Sequence, residues 1–259
     1  MGDDDRPVGH ILTRRELLAA LGATGFVLLA RCSRSGPALS EESAAHSGGS
    51  ASQPAGATAF RGCVVRPEQT EGPYFVDELL NRSDIRTDPT TGTVTPGALL
   101  ALAFHVSRLD DSACTPLEGA VVDVWHCDHV GVYSDVVDPA FDTTGQKFLR
   151  GYQVTDAEGV ARFTTIYPGW YQGRTVHIHF KVRSEPNADP GFDFTSQLYF
   201  PDELTDEVHA LEPYAAKGPR TVRNAGDGIY RRDGSQLLLP VERKGEDYAG
   251  SFDIALQGV

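Results

Sequence analysis

Tyr167-Pro168-Gly169-Trp170-Tyr171-Gln172-Gly173-Arg174-Thr175-Val176-His177-Ile178-His179-Phe180 is the stretch on which the reading of this 259-residue chain turns. A Pro-Gly turn leads into a run of β-branched and apolar residues, the composition of a strand. Along a strand, residues two apart share a face. Val176, Ile178 and Phe180 therefore pack one way, into a core, while His177 and His179 project together on the other side. Two imidazoles a few ångströms apart can hold a metal in cis. The plainer alternative is a solvent-facing pair on an edge strand. The surroundings favour a metal: Arg174 precedes the strand, Tyr171 ends the Pro-Gly turn, and a second tyrosine occupies a similar turn, Gly131-Val132-Tyr133.

Working outward, the same period-two alternation recurs from residue 60 onward. Candidate strands cover 99–108, 120–127, 151–155, 160–166, 175–183, 194–200, 236–242 and 248–256. Between them lies turn chemistry such as Asp156-Ala157-Glu158-Gly159 and Asp189-Pro190-Gly191. Residues 79–85 are expected to form a helical turn and 202–211 a short helix. Helices between strands, which a parallel α/β fold needs, are missing. The fold class expected is all-β, an antiparallel β-sandwich with long loops and little helix.

The chain carries 36 Asp+Glu against 23 Lys+Arg, a net charge of −13, which argues against nucleic acid and anionic lipid as partners. No apolar run reaches the ~18 residues of a membrane span. Residues 1–34 contain Arg14-Arg15 followed by the apolar run Leu17-Leu18-Ala19-Ala20-Leu21-Gly22-Ala23-Thr24-Gly25-Phe26-Val27-Leu28-Leu29-Ala30, which resembles a twin-arginine export signal. The rival is an amphipathic helix with solvated arginines, but the run has no polar face. Leu29-Ala30-Arg31-Cys32 looks like a lipoprotein cleavage box with Arg31 where a small residue belongs. A lipid anchor at Cys32 and ordinary release both stay open. Residues 35–59, rich in Ser, Ala and Gly, read as a disordered linker. The remaining domain, 60–259, is expected to be exported, extracellular or associated with the cell envelope. Its three cysteines, Cys63, Cys114 and Cys127, would then give one disulfide and one buried thiol, by any of three pairings.

Why should tyrosines stand beside two histidines? A phenol has a pKa of ~10 and binds divalent ions poorly at neutral pH. A strongly Lewis-acidic ion lowers that value enough to take phenolate, and Fe(III) is the usual biological choice. Two imidazoles, two phenolates and one hydroxide would neutralise its three charges in a five-coordinate site. The run Trp125-His126-Cys127-Asp128-His129 has no standard metal spacing, and His126 and Cys127 read as structural.

Gly131-x-Tyr133, Pro168-Gly169-x-Tyr171, Arg174-x-x-His177-x-His179 and Thr195-Ser196-Gln197-Leu198-Tyr199-Phe200 resemble, in order and spacing, the motifs of intradiol ring-cleavage dioxygenases. Gln69-Thr70-Glu71-Gly72-Pro73-Tyr74-Phe75 is similar to that family's entry to its fold. The resemblance covers roughly 60–250 and rests on the combination, since no single piece is specific. It implies one non-haem Fe(III) per chain with Tyr133, Tyr171, His177 and His179 as ligands. A catechol-type diol would bind as a chelating dianion, displacing hydroxide and one tyrosinate, Tyr171. O₂ would then attack the ring, and the bond between the two hydroxyl-bearing carbons would break to give a muconate-type dicarboxylate. Arg174 would stabilise charge developing on the ring, with Gln197 beside it.

The chain departs from the family in three respects. A linker stands where catechol 1,2-dioxygenases carry a helical dimerisation region, only Gln172 and Gly173 separate Tyr171 from Arg174, and an export signal is present. Candidate substrate-binding residues are Tyr74, Leu79, Asp84 and Ile85. Two rivals remain. A cupin oxygenase also uses His-x-His, but expects an acid four or five positions later, where the first here is Glu185, six along. A non-catalytic β-sandwich binding module would leave the tyrosine, arginine and histidine set unexplained.

Overall fold

A computed structural model describes residues 63–111, 113–185, 188–189 and 191–259. The expected export signal and linker, with Cys32, lie outside them. The described elements are β1 (Leu99–Asp110), β2 (Ala113–Pro116), β3 (Val121–Trp125), β4 (Val137–Asp138), β5 (Phe141–Asp142), β6 (Arg150–Val154), β7 (Val160–Ile166), β8 (His177–Arg183), β9 (Asp193–Tyr199), α1 (Asp202–His209), α2 (Tyr230–Asp233), β10 (Val241–Lys244) and β11 (Asp247–Gln257).

Two sheets pack face to face. In the first, β1 is the spine: parallel to β11, antiparallel to β7 along 99–105 and to β2 along 107–110, with β10 closing the edge beyond β11. The second runs β6-β3-β8-β9 and is antiparallel throughout. The expected sandwich is therefore present, with β1–β11 as its parallel pair. Alternation places Leu100, Leu102, Phe104 and Val106 of β1 and Ile178, Phe180 and Val182 of β8 in one core. Phe104 meets Phe180 at 5.1 Å between ring centroids and Phe180 meets Phe252 at 5.7 Å, so the inner faces interlock through aromatic rings. Each fully buried ring contributes roughly 1.5–3 kcal/mol.

Three expectations are corrected or sharpened. Residues 79–85 do not form a helical turn. Leu79 is left-handed at φ +50°, and from Leu80 to Ile85 the chain exchanges backbone hydrogen bonds with Tyr152 of β6 and Thr164 of β7 and so joins the two sheets. The Arg82 guanidinium donates to the carbonyls of Thr87, Lys147 and Arg150, which outweighs local helix preference. The expected strand at 236–242 is split. A 3-10 turn occupies Gly234–Leu237, Leu239 bonds to Tyr199, and Pro240 has no N–H to continue the ladder. The short helix is present as α1, with Asp202 and Glu203 in its first turn, where the helix dipole favours acids.

Cys63 and Cys114 form the disulfide, and Cys127 is the buried free thiol. The disulfide fastens a strap of chain, residues 63–75. It lies first beside β11, where the Ala255 N–H donates to the Val64 carbonyl. It then reaches β9, where Gln69 N–H donates to the Thr195 carbonyl and Ser196 Oγ to the Pro67 carbonyl.

Candidate metal centre

Strand register explains why the site residues converge. His179 on β8 stands opposite Trp125 of β3 and Gln197 of β9, while His177 stands opposite Tyr199. Directly paired residues share a face, so these five side chains stand on the face of the sheet opposite Ile178 and Phe180, with the buried Tyr199 ring also packing at the edge of the main core. Loops and strap cover them, and both histidines are 2% exposed. Their Nε2 atoms lie 3.0 Å apart. His177 Nδ1 donates to the Thr175 carbonyl at 2.7 Å. A carbonyl can only accept, so the neutral ring keeps its lone pair on Nε2, facing His179. Burial holds both imidazoles well below the usual histidine pKa, reinforced by Arg174 beside His177 and by His177 beside His179. Both rings are therefore neutral, as metal ligands must be. Trp125 lies nearly parallel to the His179 ring at 5.1 Å.

The tyrosines arrive on two loops that interlock by backbone. The Asp128 carboxylate accepts the N–H groups of Val130 and Val132, and its carbonyl accepts those of Gly131 and Gly169. A Cβ on Gly131, at φ +83°, would stand 2.3 Å from the Trp170 carbonyl oxygen, and one on Gly169 2.4 Å from that of His129. Both motif glycines are thus required by close approach of main chain to main chain. Tyr171 Oη lies 3.2 Å from His177 Nε2. The Tyr133 hydroxyl is buried and makes no hydrogen bond. Burial raises both phenols above their ordinary pKa, and for Tyr133 the neighbouring Tyr171 adds to the rise.

Arg174 closes one side. Its Nε donates to Asp227 at 2.8 Å and one Nη to Gln197 Oε1 at 2.5 Å, leaving the other Nη 3.4 Å from His177 Nε2. Gln197 Nε2 donates to the Thr70 carbonyl of the strap, and Tyr199 Oη donates to Gln69 Oε1. Asp227, 1% exposed, also accepts the N–H groups of Thr175, Ile229 and Tyr230. Against the upward push of burial, those backbone donors and Arg174 hold its carboxyl below the usual value. Asp227 and Tyr199 are site residues that no local pattern in the sequence assigns. Asp227-Gly228 carries only turn chemistry, and Tyr199, though inside the motif at 195–200, is placed at the site only by the β8–β9 register.

Of the candidate substrate-binding residues, Tyr74 comes to the centre: it stacks on Tyr133 at 4.5 Å, faces Tyr171 edge-on at 6.5 Å, and donates to Asp138. Leu79, Asp84 and Ile85 are not brought there. Leu79 is 64% exposed and Ile85 is fully buried in the main core. Asp84 pairs with Arg86 at the surface. Pairing with β6 and β7 fixes these orientations, so the family-like entry segment carries only its Tyr74 end to the site. His126 and Cys127 are structural, as expected. His126 Nδ1 donates to the Cys127 carbonyl while Nε2 accepts from Thr165, and burial lowers its pKa to about 4.

Four donor atoms thus converge at a largely buried site: two neutral imidazole nitrogens and two phenol oxygens, one of them without a partner. Among the described residues no three or more His, Cys, Asp or Glu side chains gather as a metal site. A cation held by the histidine pair would have to be completed by phenol oxygens, which suits a strong Lewis acid. Glu185, the acid that a cupin reading would need, is exposed beyond the end of β8.

Comparison with known proteins places this β-sandwich, with its donor set on adjoining strand and loops, among the oxygenases. The family described as Dioxygenase matches residues 70–224. The protocatechuate 3,4-dioxygenase beta chain of Burkholderia cepacia is 31% identical over 180 residues, 66% of this chain and 71% of that one. The chain covers only half of catechol 1,2-dioxygenase 2 of Acinetobacter lwoffii, at 33% identity. Among solved structures, an intradiol ring-cleavage dioxygenase from Tetranychus urticae superposes with a TM-score of 0.65 at 27% identity, covering 76% of this chain and 96% of that one. The chain belongs to the intradiol ring-cleavage dioxygenase family and is an enzyme of that class.

Proposed function

We propose that the domain cleaves a catechol-type aromatic with O₂ between its two hydroxyl-bearing carbons, giving a muconate-type dicarboxylate, at one ferric ion held by Tyr133, Tyr171, His177 and His179. The observation that carries this reading is the convergence of the two Nε2 atoms, 3.0 Å apart, with the Tyr171 hydroxyl and the orphaned Tyr133 hydroxyl. When bound, Fe(III) supplies a Lewis acid strong enough to take phenolates and an aromatic diolate and to draw electron density from the ring.

The protein's own groups do the rest. Tyr133 Oη and Tyr171 Oη give up their protons as the site fills, which burial alone opposes. The two histidines enter neutral and move no proton. Arg174, its Nε committed to Asp227, keeps a fixed guanidinium beside His177, where it stabilises negative charge developing on a bound diol. Trp125, Tyr74, Phe75 and Tyr171 form an apolar cluster around buried Tyr133 and exclude water.

Tyrosinate bound to Fe(III) absorbs visible light, so purified protein should be reddish and consume O₂ with members of a catechol panel. Colourless protein that still holds iron would favour the cupin reading; protein without stoichiometric metal would favour a binding module. Export is proposed with this activity. It is supported by the Cys63–Cys114 disulfide, since structural disulfides persist in oxidising compartments. Among the described residues no helix is long and apolar enough to cross a membrane.

A further inference from the structure

We propose that Lys217 is a positioning residue for this centre: its ammonium joins the loops that carry Tyr133 and Tyr171 and sets the separation of their phenol oxygens. Lys217 ends a short 3-10 turn, Ala215–Lys217, on the connection that follows α1. Its Nζ donates to the Val130 carbonyl at 2.5 Å and to the Trp170 carbonyl. Val130 is three residues before Tyr133, and Trp170 is immediately before Tyr171. The same cation lies 4.3 Å from the centroid of the Trp170 ring, whose Nε1 donates to the Gly218 carbonyl. Residues 217 and 218 therefore hold Trp170 by ring face, ring N–H and main chain together.

The junction has no slack. A Cβ on Gly131 would lie 2.6 Å from Lys217 Nζ as well as 2.3 Å from the Trp170 oxygen, so the two loops and the cation meet at one point. Both acceptors are main-chain carbonyls on different loops, so the cation spans the gap between them. Apart from it, among the described residues the Gly169 N–H to Asp128 carbonyl bond at 3.0 Å links these loops main chain to main chain. Hydrogen bonds from a charged donor are the stronger kind. Losing them lets the tyrosine-bearing segments drift relative to each other, although Lys217 touches none of the four donor atoms.

This inference rests on the ferric reading of Tyr133 and Tyr171, and the measurements separate the two. Lys217→Met keeps the stem over Trp170 but removes the donors. Lys217→Arg keeps the cation with a different reach. In iron-loaded K217M with wild-type far-UV circular dichroism, the tyrosinate-to-iron absorption band should move. There kcat should fall about tenfold while KM changes less than about twofold, because misplacement rather than lost substrate contact is the fault. K217R should be intermediate in both. A purely structural lysine would lower melting temperature without moving the band. A folded K217M with the wild-type band and kcat overturns the proposal. If K217M does not fold, a K217R band and kcat identical to wild type overturn it instead. Iron-loaded wild type without such a band would overturn the ferric reading, whatever Lys217 does.

Discussion

At Asp227 one carboxylate ties a loop and an active-site side chain together. Oδ1 accepts the N–H groups of Ile229 and Tyr230, while Oδ2 accepts Arg174 Nε and the Thr175 N–H. Asp227→Asn removes the charge and turns one oxygen into a donor that faces donors. We expect about a hundredfold loss in kcat as the guanidinium loses its orientation, and destabilisation on the order of 3 kcal/mol from a buried cation left unpaired. The visible band should stay, because Asp227 touches no proposed ligand. Band loss with iron release would show that Asp227 supports the metal itself. The histidines, the tyrosines and Arg174 were legible in sequence because each sits in a short local pattern whose chemistry is unusual. Asp227 lies 53 residues from Arg174 and carries only ordinary turn chemistry. A partnership of that kind exists only in the folded chain.

Elements were legible where alternation alone decides, as in β7, read to the residue, and β8, whose two faces divide into core and site. They were not legible where long-range pairing decides. Residues 80–85 have no local reason to pair with β6 and β7, and β2, β4 and β5 are two to four residues long. Between elements, His126 is a link that can be tested by pH. It follows β3 in the second sheet and accepts a hydrogen bond from Thr165 of β7 in the first, at 2.7 Å. Burial lowers its pKa to about 4, against ~6.5 in an unfolded chain. Between those values the unfolded state binds a proton that the native state does not, so stability falls as pH falls through this window. The share from His126 is about 2 kcal/mol between pH 7 and pH 5. Buried His177 and His179 act with the same sign in metal-free protein, so the comparison must be differential. Urea unfolding of metal-free wild type and His126→Gln at both pH values should show the variant losing about 2 kcal/mol less. Equal losses would mean that His126 is solvated or already charged in the native state.

For the whole molecule, the charge of −13 excludes partners without naming one, and the pairing of three cysteines was open until the strap was placed. The strap matters because it begins at the Cys63–Cys114 disulfide and ends at the centre, where Thr70 accepts the Gln197 amide and Tyr74 packs on Tyr133. The two cysteines are 51 residues apart. Closing a loop of that length removes unfolded-chain entropy worth about 4 kcal/mol in the chain-entropy description. Replacing both cysteines with serine should therefore lower the urea midpoint and steepen the denaturant slope, because the uncrosslinked unfolded chain is less compact. The same bond reports on the compartment. Protein recovered outside the cytoplasm should be alkylated, when denatured, at Cys127 and not at Cys63 or Cys114. Protein retained by Arg14→Lys with Arg15→Lys should be alkylated at all three and show the lower midpoint. Export of that variant at the wild-type level would refute the twin-arginine reading. Free thiols at Cys63 and Cys114 in exported protein would refute the disulfide. An unchanged midpoint in the double serine variant would place the strap's stability in its hydrogen bonds to β9 and β11 instead, since those contacts survive the loss of both sulfurs.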